Sequence, residues 1–310
     1  MSFSFLFPGQ GSQYNGMFKD HFEEFPEFSE ILGQGEEFYK EDLRDIIFKD
    51  DPRLSDTYYT QPILLLMSYA LYKVWDKNGC PNPKVSAGHS LGEVSSLLCA
   101  GAFSLSDALK LIKYRASFMI ESKGEMKTKM SAVLGLEGSK IVDILKNRRA
   151  NFLEAVNLNA PQQTVIAGNA DEVEAVKELL KTEGAKRIID LAVSVPSHSS
   201  LMDIASSKLK LVLDDINIDE PKFSTIQNYD SKVSISGTEV RHRLAEQISN
   251  PVQWVESMKK LKKYSLNEHL EMGPGKVLCS LAKQNRLAGS FSALDNIDTF
   301  KEKISEYGQK

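Results

Sequence analysis

The N-terminal segment alternates large aromatic residues with smaller ones. Phe3, Phe5 and Phe7 are separated by a serine and a leucine, a period of two that is typical of a β-strand. The pattern stops at Pro8-Gly9-Gln10-Gly11-Ser12, where a proline and two glycines favour a turn. We therefore predict that the chain begins with a strand that leads into a Gly-rich turn.

Helix and strand patterns alternate over the next hundred residues. Apolar residues at helical spacing indicate helices, and a short run that ends in glycine indicates a strand. The predicted elements are a buried helix over 62–75, a strand over 85–88, a helix over 93–100 and a helix with Ser106 as its N-cap. Helices that alternate with short strands are typical of an α/β fold.

The middle of the chain has a different order of elements. Strands are predicted over 130–135, 152–157, 164–168 and 187–193, and helices over 140–146 and 171–182. The order β-α-β-β-α-β is that of a ferredoxin-like unit. We therefore expect a small ferredoxin-like domain over 127–195, inserted into a larger α/β domain made of 1–126 and 196–310.

The last third of the chain returns to the first pattern. The predicted elements are a helix from Ser200, a strand near 223–227, helices near 239–248 and 252–264, a strand over 269–272 and a helix over 277–284. The chain has neither an internal repeat nor a low-complexity segment.

Composition narrows the class of protein. The 310 residues are 42% hydrophobic and 26% charged, which is ordinary for a globular enzyme and excludes collagen-like, coiled-coil and disordered chains. A formal net charge of -4 offers no general attraction for nucleic acid. The longest apolar stretch is too short for a membrane span, and the N-terminus lacks the basic start of a signal peptide. Three widely spaced cysteines fit neither a disulfide framework nor a metal site. We expect a cytoplasmic monomer that binds no metal, nucleic acid or membrane.

A motif for nucleophilic catalysis lies between a predicted strand and a predicted helix. Gly88-His89-Ser90-Leu91-Gly92 matches G-x-S-x-G, the pattern of a nucleophile elbow. The sharp turn exposes the Ser90 hydroxyl, and the helix N-terminus offers N–H groups to a developing oxyanion. The alternative is an ordinary strand–helix turn with a capping serine.

A serine nucleophile needs a base, and the chain has five histidines. We expect His21 to be a solvated surface residue, His242 to lie on an exposed helix and His269 to be a satisfied core or edge residue. His89 is adjacent to Ser90, where the turn directs neighbouring side chains apart. His198 lies on a strand-to-helix connection and is our candidate base, with a helix-capping role as the alternative.

Arg115 lies on the apolar face of the helix that follows Ser106. It forms either an internal ion pair or a clamp for a substrate carboxylate. The Gly-rich turn after the first strand matches no nucleotide-binding pattern. It can instead present the Gln10 N–H to an oxyanion.

Six motifs, in order, resemble the malonyl-CoA:acyl carrier protein transacylases of bacterial type II fatty-acid synthesis, and they span nearly the whole chain. These motifs are Phe7-Pro8-Gly9-Gln10-Gly11-Ser12-Gln13, Thr60-Gln61-Pro62, Gly88-His89-Ser90-Leu91-Gly92-Glu93, Val195-Pro196-Ser197-His198, Asn250-Pro251-Val252-Gln253-Trp254 and Gly273-Pro274-Gly275-Lys276. The resemblance implies a hydrolase-like α/β core with a parallel sheet and a ferredoxin-like insert. It also implies malonyl transfer from CoA to acyl carrier protein, with no cofactor beyond the CoA thioester.

The resemblance assigns the residues of the reaction centre. Ser90 would accept the acyl group, and His198 would be its general base and acid. The backbone N–H groups of Gln10 and Leu91 would form the oxyanion hole. Gln247 would orient His198 through its backbone carbonyl.

The resemblance also assigns binding residues. Arg115 would bind the malonyl carboxylate, Gln61 and Asn159 would line the pocket, and Lys186 and Arg187 would face the acidic carrier protein. The chain departs from the family pattern at Lys283-Gln284 and Lys127-Thr128-Lys129. These departures affect the expected carrier contact and the hinge into the small domain.

Two alternatives remain open from the sequence. A serine hydrolase or thioesterase would place an acid between Ser90 and His198, for which Asp107, Asp143, Asp171 and Asp190 are available. A non-catalytic module that binds the carrier protein would keep the fold without needing the reactive residues.

Overall fold

The computed structural model describes residues 2–148, 150, 152–193 and 195–308. The strands of this part of the chain are β1 (Phe3–Phe7), β2 (Val85–Gly88), β3 (Thr128–Leu134), β4 (Leu153–Ala160), β5 (Gln163–Asn169), β6 (Arg187–Asp190), β7 (Ser224–Ile226), β8 (Glu268–Glu271) and β9 (Ser290–Ala293). Its helices are α1 (Lys19–Glu24), α2 (Pro26–Tyr39), α3 (Leu43–Phe48), α4 (Thr57–Lys77), α5 (Leu91–Cys99), α6 (Leu105–Lys123), α7 (Gly138–Asn147), α8 (Ala170–Thr182), α9 (Asp203–Asp214), α10 (Gly237–Gln247), α11 (Trp254–Lys262), α12 (Val277–Gln284) and α13 (Ile297–Tyr307).

A five-stranded parallel sheet forms the larger unit, in the order β7-β2-β1-β8-β9. The aromatic residues of β1 belong to the main core on one face, and Leu6 belongs to a second core on the other. Helices therefore cover both faces of the sheet, as they do in parallel sheets generally. Phe7 pairs with Gly88, so the loops after β1 and β2 leave the same edge side by side.

A four-stranded antiparallel sheet forms the smaller unit, in the order β4-β5-β3-β6. With α7 and α8 as the connections, this is the ferredoxin-like arrangement that the element order predicted. One apolar cluster joins the sheet to these two helices. A second cluster, which includes Met130 and Val165, lies on the opposite face. The two sheets together confirm the predicted fold class.

Hydrogen bonds join the small sheet to the larger unit. The backbone of Val252 exchanges hydrogen bonds with β4, accepting from Leu158 N at 3.0 Å and donating to Val156 O at 2.9 Å. The Asn285 side chain donates to the Asn159 carbonyl at 2.8 Å. The exact domain limits, 127–195 within 1–126 and 196–310, stay a prediction. In the part of the chain that the structure describes, no helix has the length and apolarity to cross a bilayer.

Several predicted boundaries were wrong. α4 begins at Thr57 rather than at residue 62, because the Asp56 side chain caps it by accepting from Tyr58 N. Pro62 therefore lies within the helix rather than at its start. The α6 N-cap is Ser104, which accepts from Asp107 N, and Ser106 lies inside the first turn. β6 ends at Asp190, three residues before the predicted end.

Five elements were not predicted from the sequence: α1, α2, α3, β9 and α13. Two of these helices have only six residues, which is under two turns and too short for a helical period to be recognised. β9 pairs only with β8 at the sheet edge, and its burial pattern does not alternate.

Candidate active site

Ser90 lies at the sharp turn between β2 and α5, as the G-x-S-x-G motif predicts. Its backbone has φ 54° and ψ -110°, a conformation that a residue with a side chain seldom adopts. Gly92 is needed for close packing, because a Cβ there would lie 1.9 Å from the Phe7 carbonyl oxygen. The turn therefore presents the Ser90 side chain at the carboxyl edge of the parallel sheet.

His198 lies directly against Ser90. Its Nε2 is 2.7 Å from Ser90 Oγ, and its Nδ1 is 2.8 Å from the backbone oxygen of Gln247. A carbonyl only accepts hydrogen bonds, so Nδ1 carries the proton and Nε2 is free to accept from the serine hydroxyl. Burial, followed by the charge of Arg115, lowers the pKa of His198 to about 3. The imidazole is therefore neutral and able to take a proton at physiological pH.

Arg115 completes this cluster from α6. Its guanidinium donates to Gln61 Oε1 at 2.7 Å, to Gln247 Oε1 at 3.1 Å and to Ser90 Oγ at 3.2 Å. Burial lowers its pKa to about 10, and the nearby charge of Glu93 opposes that shift. Every acceptor that it reaches among the described residues is a neutral oxygen. The internal ion pair, one of the two interpretations of Arg115, is therefore absent from this part of the chain.

Gln10 and Leu91, the pair predicted for the oxyanion hole, lie beside Ser90. Among the residues that the structure describes, neither Gln10 N nor Leu91 N donates to a protein acceptor. Gly9 brings the β1 loop against the turn, since a Cβ on Gly9 would lie 2.3 Å from the His89 carbonyl oxygen. The Ser90 N–H itself is occupied by Asn228 Oδ1 at 2.7 Å. The N–H groups of Gln10 and Leu91 are thus available, and their role as an oxyanion hole stays a prediction.

A cavity of about 70 Å³ encloses these groups, and a larger one of about 430 Å³ leads away from it between the two sheets. The small cavity is lined by Gln10, Gln61, His89, Ser90, Leu91, Arg115, Met119, Met130, Asn157, Leu191, Val193, Ser197 and His198. Most polar groups come from the large unit, and the walls contributed by the small unit are apolar except for Asn157 of β4. The size suits a short acyl group, and the larger cavity suits an extended arm.

The remaining predicted binding residues lie in different places. Gln61 lines the small cavity, as expected. Asn159 lines only the larger one, where its Oδ1 is bonded to His89 Nε2 at 2.7 Å. Lys186 and Arg187 are exposed, at the start of the edge strand β6 and away from the reacting groups. Their roles stay predictions.

The other histidines have structural environments. His21 is buried, not solvated as predicted: its Nε2 donates to the Leu294 carbonyl at 3.1 Å, and burial lowers its pKa to about 4. The prediction relied on the acidic residues next to His21 in the sequence. The helix instead directs the imidazole inward, against Phe28 and Phe300. His269 is satisfied in the core and His242 is exposed, as expected.

None of the four candidate acids takes the position that a hydrolase triad requires. His198 Nδ1 is bonded to a carbonyl instead. Asp107 and Asp171 lie in helix-capping turns, Asp190 bonds to Ser131 and Lys177, and Asp143 is exposed. Nor do the described residues include a group of three or more side chains that could hold a metal ion.

Two residues of the site and one side-chain contact were not predicted from the sequence. The Gln247 side chain donates to the Ser90 carbonyl at 2.9 Å, in addition to the contact predicted for its backbone. Asn228 and Glu93 form a buried network under the turn. Asn228 follows β7, the parallel neighbour of β2, and that placement was the one available signal.

Comparisons with known proteins agree with this geometry. A model of the acyl transferase domain family matches residues 4–280. The malonyl CoA-acyl carrier protein transacylase of Haemophilus influenzae is 40% identical over 295 residues, which are 94% of this chain and 94% of that protein.

Solved structures give the same result. The malonyl CoA-acyl carrier protein transacylase of Coxiella burnetii has a TM-score of 0.95 at 34% identity, covering 100% of this chain and 98% of that one. A chain in the structure of a type II PKS acyl-carrier protein in complex with its malonyl-transacylase has a TM-score of 0.96 at 35% identity. The match covers 99% of this chain and 100% of that one. The chain belongs to the acyl transferase family and, within it, to the malonyl CoA-acyl carrier protein transacylases that its motifs resemble.

Proposed function

We propose that this enzyme transfers a malonyl group from CoA to the pantetheine thiol of acyl carrier protein, for fatty-acid synthesis. The observation that carries the proposal is the buried guanidinium of Arg115, which contacts Ser90 Oγ at 3.2 Å and bonds only to neutral acceptors among the described residues. A buried cation with no carboxylate in direct contact favours an anionic ligand, and a planar guanidinium can hold a carboxylate through two hydrogen bonds. The malonyl carboxylate supplies that charge.

The first half-reaction acylates Ser90. His198 Nε2 takes the hydroxyl proton while Ser90 Oγ forms a bond to the thioester carbon. The N–H groups of Gln10 and Leu91 stabilise the negative carbonyl oxygen. The C–S bond then breaks, and His198 gives its proton to the departing CoA thiolate. The products are a malonyl ester on Ser90 and free CoA.

The second half-reaction runs in the opposite sense. The carrier thiol gives its proton to His198, its sulfur attacks the ester carbon, and the C–O bond to Ser90 breaks. His198 returns the proton to Ser90 Oγ. The carbonyl of Gln247 orients the imidazole without adding a negative charge, so the base is milder than one paired with a carboxylate.

The wider assignment follows the same proposal. Lys186 and Arg187 would face the acidic carrier protein, and Gln61 and Asn159 would border the substrate path. The CoA thioester would be the only co-substrate, with no cofactor. A cytoplasmic monomer in which residues 127–195 form the inserted domain remains our proposal for location, assembly and domain limits.

Intact mass after brief exposure to malonyl-CoA tests the function. We expect a malonyl adduct that is absent from Ser90→Ala and that moves to acyl carrier protein when the carrier is added. An adduct lost to water without the carrier would make the chain a thioesterase. Absence of any adduct would favour the non-catalytic binding module.

A further inference from the structure

Asn228 holds both sides of the nucleophile turn. Its Nδ2 donates to the Gly88 carbonyl at 2.6 Å, and its Oδ1 accepts from Ser90 N at 2.7 Å. The residue is fully buried, in the turn that follows β7. One amide side chain therefore satisfies a carbonyl and an N–H of the segment that carries the reactive hydroxyl.

Asn228 is itself held in place by a buried carboxylate. Its backbone N–H donates to Glu93 Oε2 at 2.6 Å, and its carbonyl accepts from Gln253 N at 3.1 Å. The other oxygen of Glu93 accepts from Gln227 Nε2 at 2.9 Å. Glu93 has no exposed surface, and it lies on α5, three residues after Ser90. Hydrogen bonds therefore connect the turn to Asn228 and Asn228 to Glu93, and α5 connects Glu93 back to the turn.

This network bonds to a residue, Ser90, whose backbone conformation is unfavourable. A positive φ at a residue with a side chain costs free energy and persists only where the surroundings enforce it. The two hydrogen bonds of Asn228 act directly on that strained segment. They also occupy the Ser90 N–H, which leaves the anion-binding position to Gln10 and Leu91.

We propose that Asn228 is a positioning residue that fixes Ser90 for attack, and that Glu93 acts on the reaction through Asn228. This inference rests on the proposed acylation of Ser90. Neither residue lines the small cavity, so neither touches the acyl group there.

Single-turnover acylation by malonyl-CoA separates positioning from a merely structural role. The amplitude reports how much enzyme is folded and competent, whereas the rate constant reports how well each Ser90 is placed. For Asn228→Ala we expect the rate constant to fall on the order of 10²-fold, because small misplacements of a reacting group have costs of that size. The amplitude and the KM for malonyl-CoA should stay close to those of the wild type. The matched control is Asn217→Ala, at an exposed asparagine outside the site, and it should behave as the wild type.

The outcomes are distinguishable. A lower amplitude with an unchanged rate constant would show that Asn228 only stabilises the fold, and it would overturn the inference. If the wild type itself forms no adduct, the proposed function fails instead. Asn228→Asp serves if the alanine variant does not fold, because it keeps the acceptor for Ser90 N but cannot donate to Gly88. Its rate constant should also fall, and an unchanged value would overturn the inference.

Glu93→Gln tests the second half of the proposal. Glutamine keeps the shape but turns one of the two acceptors into a donor that faces Gln227, so we expect a smaller fall in the acylation rate constant. If Glu93 acts through Asn228, the double variant Glu93→Gln/Asn228→Ala should be no slower than Asn228→Ala alone. Fully additive losses would mean that Glu93 acts by another route, such as its charge on Arg115.

Discussion

Arg115 is a charged side chain that is only 3% exposed, in a cavity whose other polar groups are neutral or hydrogen-bonded. Burying a guanidinium with no carboxylate in direct contact is unfavourable, and the unfavourable energy is relieved when an anion binds. We therefore expect Arg115 to favour acyl groups that carry a carboxylate. Acyl groups that lack a carboxylate cannot offer this relief.

Replacing Arg115 by alanine should consequently affect malonyl transfer much more than acetyl transfer. We expect kcat/KM for malonyl-CoA to fall by about 10²-fold or more, since hydrogen bonds to a charged group are lost in a buried site. Acetyl-CoA should be affected far less, and Arg44→Ala, at an exposed arginine, should leave both substrates unchanged. Equal losses with the two thioesters would mean that Arg115 only supports the fold.

The pH dependence of acylation should reveal the environment of His198. Protonation removes its ability to accept from Ser90, so the rate is lost as the pH falls through its pKa. Burial and Arg115 lower that pKa from 6.5 to about 3, which places the loss well below pH 6.5. We expect the single-turnover rate to show no fall from His198 between pH 8 and about pH 5.

Glu93 provides the control for this profile. Burial raises its pKa to about 7, so it titrates within the same window. A step near pH 7 that disappears in Glu93→Gln belongs to Glu93. A midpoint near 6.5 that persists in that variant would contradict the assignment of a depressed pKa to His198.

At the scale of elements, α6 carries Arg115, and its N-terminus is set by a cap. Ser104→Ala removes the acceptor for Asp107 N and should lower the free energy of unfolding by about 1 kcal/mol. Ser106→Ala is the matched control, since that exposed serine lies inside the first turn and makes no cap. Urea unfolding should show a clear difference between the two variants. Equal losses would contradict the position of the cap.

Elements were predictable from sequence where the pattern was long or bounded by special residues. β1 and the helix over 277–284 were predicted with the limits that the structure shows, because Pro or Gly marks an edge of each. The start of α4 was missed because Asp56, not the apolar period, determines it. The burial of His21 was missed because it depends on contacts with Phe300, which lies near the other end of the chain.

The same limit applies to the active site. Ser90, His198 and Arg115 were identifiable because a local motif or a conflict with the local pattern singled them out. Asn228 was not, because its importance depends on β7 lying beside β2, a pairing between residues about 140 positions apart. The side-chain role of Gln247 was invisible for the same reason. Sequence patterns locate chemical groups, and tertiary pairing decides which of them meet.

At the scale of the whole molecule, the exposed basic pair at the start of β6 should affect only the second half-reaction. Charge reversal of Lys186 and Arg187 to glutamate should raise the KM for acyl carrier protein on the order of tenfold at low salt, and less at high salt. Acylation by malonyl-CoA should not change. Lys181→Glu, at another exposed lysine of the small unit, is the control. An unchanged KM for the carrier would place its contact on another surface.

The small cavity is lined from both sheets, so part of its apolar wall lies apart from the reacting groups and from Arg115. Ser90, His198 and Arg115 come from the large unit, whereas Met130 and Val193 are contributed by β3 and the segment after β6. Substitutions that reshape these apolar walls leave the hydrogen bonds of the reacting groups intact. The size of the acyl group that fits can thus diverge during evolution while the transfer machinery and Arg115 are retained. The same arrangement makes the small sheet the region to redesign when an acyl group of another size, still carrying a carboxylate, is wanted.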